Sequence, residues 1–394
     1  MNFEPIAADF YGYENRLTDQ EKSVILDLRA FLEEKVRPTA NDLWNKAEFF
    51  DRDVVVKGLA DLGLFGQPWE ETQHFPNSAV FRGWVALELA RVDASVATLV
   101  GMQNGLVMGS IAVAGSDEQR AEWLPKFASA ELLGAFGLTE PLSGSDTAQG
   151  LQTVAKRDGD NWIINGAKRW IGNGSISDVT IIWARDADDN QVKGFIVPTT
   201  TPGYSAKRIE NKQALRIVQN ADIMLENVIV PESNRLQKSQ SFRETAAVLR
   251  LTRAEVAWAA VGNSIGAYDA AVKYAGERIQ FGKPIGSHQL VQELLAKSLG
   301  NITASIGMVT RVSEMLDEGI QKDEHAALAK EYTTSRMRES VAWCRELLGG
   351  NGIVMDYGVM KHFADAEAIY SYEGTREMNT LIVGRAITGK AAFV

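Results

Sequence analysis

Asn161-Trp162-Ile163-Ile164-Asn165-Gly166 decides how the middle of this chain folds. Apolar and polar side chains alternate there, and the turn dipeptides Asp158-Gly159 and Asn165-Gly166 bracket the run. That is the pattern of a half-buried strand between chain reversals. The same texture recurs at Val179-Thr180-Ile181-Ile182-Trp183, at Gly194-Phe195-Ile196-Val197-Pro198 and at Asp222-Ile223-Met224-Leu225. Strands therefore extend from near Gly134 to about Pro231. No helical period separates them, which argues against a parallel βαβ sheet and predicts an antiparallel sheet, as a small barrel or sandwich.

Outside that region the period becomes helical. Before it, amphipathic or apolar helices are predicted at about 18–36, 53–64, 79–113 and 117–128, with Pro38 just beyond the first. The run 79–113 is apolar over much of its length, as a largely buried helix is. After it, helices are predicted at about 242–278, 287–318, 323–349 and 376–388, with a shorter one near 359–370. Long helices joined by short connections pack as antiparallel bundles. The fold class is α+β: an N-terminal helical domain (1–133), a middle antiparallel β domain (134–240) and a C-terminal four-helix bundle (241–394).

With 394 residues the chain is too long for one simple core. Its 41 basic and 51 acidic side chains give a net charge of −10, which argues against nucleic acid as the partner. No apolar stretch reads as long enough to span a bilayer, so membrane insertion is not expected. The N-terminus lacks a signal-peptide pattern and Lys390-Ala391-Ala392-Phe393-Val394 is no peroxisomal or lipidation address, so a cytoplasmic location is expected. The single cysteine, Cys344, sits in an apolar helical run and reads as a core residue. His74, His288, His325 and His362 are scattered without metal-ligand spacing, so no metal is expected.

Four segments are richer in glycine or polar groups than a core requires. Phe136-Gly137-Leu138-Thr139-Glu140-Pro141-Leu142-Ser143-Gly144-Ser145-Asp146 lies where helix gives way to strand, and its backbone amides can meet a phosphate or a flavin edge. Lys168-Arg169-Trp170-Ile171-Gly172-Asn173-Gly174 puts a tryptophan beside a tight turn, where it can cover an aromatic ring. Arg278-Ile279-Gln280-Phe281-Gly282-Lys283-Pro284-Ile285, followed by Gln289, places a guanidinium at a helix corner, where it can hold a diphosphate. The C-terminal pair is Gly349-Gly350-Asn351-Gly352 and Tyr372-Glu373-Gly374-Thr375-Arg376-Glu377, in which Glu373 can project into a pocket. Each segment alone has a plainer reading: an interdomain loop, a packed hairpin tryptophan, a helix C-cap and a solvated carboxylate.

Taken in order, the four segments make the sequence resemble the acyl-CoA dehydrogenase family over essentially its whole length. Within it, the stretches Trp170 to Asn173 and Val218-Gln219-Asn220 most resemble plant short-chain acyl-CoA oxidases, with glutaryl-CoA dehydrogenases the other similar group. The resemblance implies an FAD enzyme that oxidises an acyl-CoA thioester between its α and β carbons. Glu373 stands at the position of the catalytic base that removes the α-proton. Phe136, Leu138 and Thr139 are implied to line the flavin, with Gly144 and Ser145 contacting FAD and Ser145 also the CoA chain. Trp170, Ile171 and Gly172 would cover the ring. Arg278, Gln280, Phe281 and Gln289, with Glu346, Leu347, Gly349 and Gly350, would reach the FAD of a neighbouring subunit, and Thr375, Arg376 and Glu377 would complete the site. Arg253 and Gly374 match CoA-substrate positions. Shared sites imply a homo-oligomer, a tetramer built as a dimer of dimers.

The departures are specific. Most relatives carry threonine where this chain has Gly172, and the plant oxidases share the glycine. The Arg-Ser pair that holds the distal carboxylate in glutaryl-CoA dehydrogenases is replaced by Ala97 and Thr98. A buried dicarboxylate would then lack its charge partner, which predicts an uncharged, short acyl group. Gln103 and Asn104 interrupt the apolar helix, as acyl-pocket groups or as hydrogen-bonding partners of a neighbouring element. The expected electron acceptor is an electron-transferring flavoprotein, with oxygen as the alternative. A glutaryl-CoA-dehydrogenase-like or catalytically divergent member of the family is the second alternative.

Overall fold

The computed structural model describes residues 3–392. Thr18 opens the first long helix, Asp19–Phe31, through a capping box: its hydroxyl accepts from the Glu21 amide (3.3 Å) and the Glu21 carboxylate accepts from the Thr18 amide (2.9 Å). The chain does not stop before Pro38. A wide π turn over Leu32–Val36 leads into a further helix, Arg37–Lys46, whose first turn takes Pro38 without needing its missing N–H. The expected helix at 79–113 is broken once, at Asp93, which is extended (φ −158°, ψ 124°) and caps the next helix by accepting from the Ser95 amide at 2.7 Å.

The second half of that run corrects the membrane reading. Ala94–Ala114 has 21 residues and a mean hydropathy of 1.5 over its most apolar 18, long and apolar enough to cross a bilayer, but 83% of that 18-residue stretch is buried among other parts of the protein. Its apolar character serves the core.

The middle of the chain forms seven strands: β1 (Gly134–Gly137), β2 (Val154–Asp158), β3 (Asn161–Ile171), β4 (Val179–Asp186), β5 (Val192–Pro198), β6 (Tyr204–Arg208) and β7 (Ala221–Pro231). They join in the order β1-β4-β2-β3-β7-β6, with β5 also on β4. Four of the six pairings are antiparallel, as expected, but β1–β4 and β2–β4 run parallel. Those partners are joined by long connections, so no tight turn dictates their direction. Asp158-Gly159 makes the β2–β3 reversal. Asn165-Gly166 does not turn the chain. It lies inside β3 as a register shift against β7, with Gly166 at φ +149° and no room for a Cβ beside Thr153.

The C-terminal helices are Phe242–Glu277, Gln289–Asp317, Asp323–Leu347, Val359–Ser371 and Arg376–Thr388, close to the expected spans. The longest crosses Ala79–Val92 at close range, so both helical regions share one core. Trp84 and Trp258 meet there with ring centroids 5.6 Å apart. A Cβ on Gly262 would stand 2.1 Å from the Leu87 carbonyl oxygen, so this approach is possible only without a side chain.

Candidate active site

Tyr372-Glu373-Gly374 links the last two helices through two successive left-handed residues, Glu373 (φ +54°) and Gly374 (φ +82°). For a glutamate this backbone is costly, about 1–3 kcal/mol, and it persists only where neighbours enforce it. The enforcing group is Lys330. It is buried in the Asp323–Leu347 helix, and its ammonium donates to the carbonyls of Tyr372 and Gly374, the two residues flanking Glu373. Asn379 adds donors to the carbonyls of Gly374 (2.9 Å) and Thr375 (3.0 Å). The Thr375 hydroxyl caps the following helix at the Met378 amide.

So held, the Glu373 carboxylate accepts a 2.8 Å hydrogen bond from the Thr252 hydroxyl. Burial raises its pKa above the ordinary carboxylate value; the Thr252 bond and the charges of Lys330 and Arg253 pull the other way without cancelling the effect. Lys330 in turn is pushed down to about 7 by burial, against the attraction of Glu373.

Glu373 faces a cleft of about 1060 Å³ between the sheet and the two helical regions. Phe136, Leu138, Thr139, Gly144 and Ser145 form one side of it. Trp170, Ile171 and Gly172 form another. Ala97 and Thr98, Arg253, Gly374 and Thr375 also line it. The loop after β1 is anchored from behind by a buried ion pair. The Lys168 ammonium donates to Glu140 (2.8 Å) and to the carbonyls of Trp183 (2.7 Å) and Leu138 (3.2 Å), while Glu140 accepts from the amides of Gln152 (2.6 Å) and Thr153 (2.9 Å). Burial lowers Lys168 to about 8, and its charge with these hydrogen bonds holds Glu140 below the usual range.

Trp170 tests whether a flat cofactor fits. It sits in left-handed backbone (φ +64°), and 51% of its surface is exposed although it lines the cleft. The Asn220 side chain fixes its carbonyl at 3.0 Å. A strained, uncovered indole beside an apolar slot suits a planar ring laid against it. At Gly172 a Cβ would come 2.9 Å from the Met102 sulfur, so the Met102 thioether stands where a larger residue would project.

Other expected residues do not join this cleft within one chain. Arg278, Gln280 and Phe281 lie at a small hairpin, Phe281 with 92% exposure, and Gln289 starts the next helix. Glu346, Leu347, Gly349 and Gly350 lie at the end of Asp323–Leu347 and in the turn after it. Arg376 pairs with Glu377 at 2.8 Å on the surface.

Gln103 and Asn104 are structural. Gln103 bonds the carbonyls of Phe127 (3.1 Å) and Leu132 (2.9 Å) and the Gly134 amide (3.0 Å), and Asn104 bonds the Leu64 carbonyl (2.8 Å) and Gly66 amide (2.7 Å). Cys344 is buried and its thiol is pushed up to about 12, as befits a core residue. No group of three or more metal-ligating side chains occurs among the described residues. Sequence reasoning missed Thr252, Glu255 and Lys330. The available signal was a polar residue on a helix face that the 3.6-residue period assigns to the core: Lys330 with Ala326, Ala327, Thr333 and Met337.

Comparison with known proteins finds relatives over most of the chain. The acyl-CoA dehydrogenase N-terminal, middle and C-terminal domain models match residues 18–131, 135–228 and 242–388. An acyl-CoA dehydrogenase of Bacillus subtilis (strain 168) is 30% identical over 367 residues, covering 92% of this chain and 96% of that protein. Two crystal structures of glutaryl-CoA dehydrogenase from Mycobacterium smegmatis superpose with a TM-score of 0.93. One is 36% identical and covers 98% of this chain and 99% of the other. The second, a complex with FADH2, is 32% identical and covers 98% of each.

Proposed function

The chain belongs to the acyl-CoA dehydrogenase family, and from that premise we propose that it converts a short, uncharged acyl-CoA to the trans-2-enoyl-CoA and passes the electrons to an electron-transferring flavoprotein. The supporting observation is Glu373: a carboxylate of raised pKa, pinned in strained backbone at the wall of a cleft.

Glu373 takes the α-proton and becomes the neutral acid. A thioester α-proton is far less acidic than a carboxylic acid, and the raised pKa narrows that gap. A general base of this kind contributes about 10²–10⁴-fold to the rate. The Thr252 hydroxyl fixes which carboxylate oxygen is engaged and leaves the other free. The Glu373 amide lies between two helices and outside both, and it donates to the thioester carbonyl as negative charge builds there. Bound FAD would supply the acceptor for the β-hydrogen and its electron pair, which the formation of the Cα–Cβ double bond requires. Trp170, Ile171 and Gly172, which line one side of the cleft, would hold its ring, and Phe136, Leu138, Thr139, Gly144 and Ser145, on another side, would hold its edge and the CoA chain. Arg253 and Gly374 position the substrate. Arg278, Gln280, Phe281, Gln289 and the segment from Glu346 to Gly350 would reach the FAD of a second copy of the chain, a reading supported by their position outside their own cleft.

Anaerobic mixing of the yellow holoenzyme with butyryl-CoA tests this. Bleaching of the flavin is expected, and Glu373→Gln should retain flavin but lose the bleaching. A variant that bleaches at the wild-type rate would remove Glu373 from the role of base. Gly172 favours a second reading, oxygen as acceptor, because a threonine hydroxyl is absent beside the ring. Stoichiometric peroxide in air would establish that reading, and its absence would reject it.

A further inference from the structure

Glu255 is a carboxyl in the cleft that the reaction above does not use. It lies three residues along Phe242–Glu277 from Thr252, and therefore on the same helix face as the residue bonded to Glu373. Room for it comes from the facing helical segment. A Cβ on Gly101 would stand 2.8 Å from Glu255 Oε1, and one on Gly105 3.6 Å from Oε2. Any larger residue at Gly101 would displace the carboxyl.

No protein group among the described residues hydrogen-bonds Glu255; only charges at longer range act on it, Arg82 in its favour and Glu373 against it. Arg82 directs its guanidinium to the Asn77 carbonyl (3.1 Å) and side chain (2.9 Å) instead. Burial pushes the Glu255 carboxyl up to about 7. The cleft it lines is mixed: Met102, Val256 and Ala259 are apolar, while Thr98, Thr252 and Tyr372 are polar but do not hydrogen-bond it. A carboxyl partly withdrawn from water without a hydrogen-bond partner is costly unless something bonds it.

We propose that Glu255 reads the acyl chain: the cleft takes an acyl-CoA that carries a hydroxyl beyond the reacting carbons and excludes one that ends in a carboxylate. This rests on the function proposed above and names its substrate class. A hydroxyl suits a carboxyl in either protonation state, because it donates to the carboxylate and accepts from the acid. An ammonium would pair only with the ionised form, in a region already occupied by Arg82, Arg253 and Lys330. A chain-terminal carboxylate would meet Glu255 without the arginine needed to offset it, since residue 97 is alanine. Three residues of helix advance about 4.5 Å, so the hydroxyl to test is one a few carbons beyond the reacting pair, at the end of a five-carbon chain.

The test compares pentanoyl-, ω-hydroxypentanoyl-, ω-aminopentanoyl- and glutaryl-CoA on the holoenzyme, read as kcat/KM with an artificial acceptor. The hydroxylated chain should exceed pentanoyl-CoA by about tenfold, with the amino and glutaryl chains below both. Glu255→Leu should bring the hydroxyl preference to one or less, and Glu255→Gln, which still donates and accepts, should keep part of it. Both variants must retain bound flavin and the wild-type Tm. Equal use of pentanoyl and ω-hydroxypentanoyl chains, a preference that survives Glu255→Leu, or a higher rate with the amino or glutaryl chain would each overturn the proposal. Failure of the underlying function is seen separately, as no flavin bleaching by any of the four thioesters or by butyryl-CoA.

Discussion

Lys330 is not placed to touch substrate, yet its ammonium holds the two carbonyls on either side of Glu373. It is a positioning residue, and its removal should act through the base. Lys330→Met removes the donor from the Tyr372 carbonyl, leaves the Gly374 carbonyl with Asn379 alone, and frees Glu373 to leave left-handed backbone. We expect kcat to fall about 10–100-fold, with flavin retained and KM changed less. The pH profile separates this from simple destabilisation. Glu373 works as the carboxylate, so kcat/KM should rise with pH through a pKa above the ordinary carboxylate value. Lys330 is one of the groups lowering that pKa, so Lys330→Met should move the rising limb to higher pH. A limb that stays in place, or moves to lower pH, would leave Lys330 without influence on the base. The Glu-Gly pair was legible in the sequence because a glutamate beside glycine before a helix invites attention. Lys330 was not, because it sits 43 positions earlier on a different helix and only the fold brings it under the loop.

Each wall of the cleft is set by how an element is anchored outside it. The loop after β1 depends on the Lys168–Glu140 pair, which is buried on both sides. Removing one partner of such a pair typically costs about 3–5 kcal/mol, because the other charge stays buried without compensation. Lys168→Met should therefore lower stability by that order in denaturant unfolding and reduce flavin content. The double variant Lys168→Met with Glu140→Gln should recover part of the loss, and full additivity of the two losses would show that the groups do not act as a pair. Helix crossing is fixed in a different way. Gly262→Ala would drive a Cβ against the Leu87 carbonyl, a backbone atom that cannot rotate away, at a cost of about 1–3 kcal/mol. Sequence periodicity found most of these elements and missed their exceptions for local reasons. Asp93 breaks an apolar run by capping, Pro38 is absorbed by a wide turn, and Asn165-Gly166 shifts a register where a reversal was expected. The parallel pairings were invisible because the partners are far apart in sequence.

In the whole molecule, the expected residues fall into two sets. One set surrounds the cleft; the other, with Arg278, Phe281, Gln289 and Glu346 to Gly350, lies outside it. The outer set includes a hairpin tip whose Phe281 is exposed. If those residues serve the cofactor of a second copy, each working site takes Glu373 from one chain and Arg278 from another. Complementation decides this. Arg278→Ala should weaken flavin binding, and Glu373→Gln should abolish bleaching, so each variant alone is inactive or nearly so. Co-refolded or co-expressed in equal amounts, they form mixed dimers in which one site of the two has both groups intact. Random pairing predicts recovery of about a quarter of wild-type activity. Recovery should follow the fraction of mixed dimers as the ratio of the two chains is varied. Mixtures no more active than the sum of the separate variants would place Arg278 on the cofactor of its own chain, and the outer set would need another explanation.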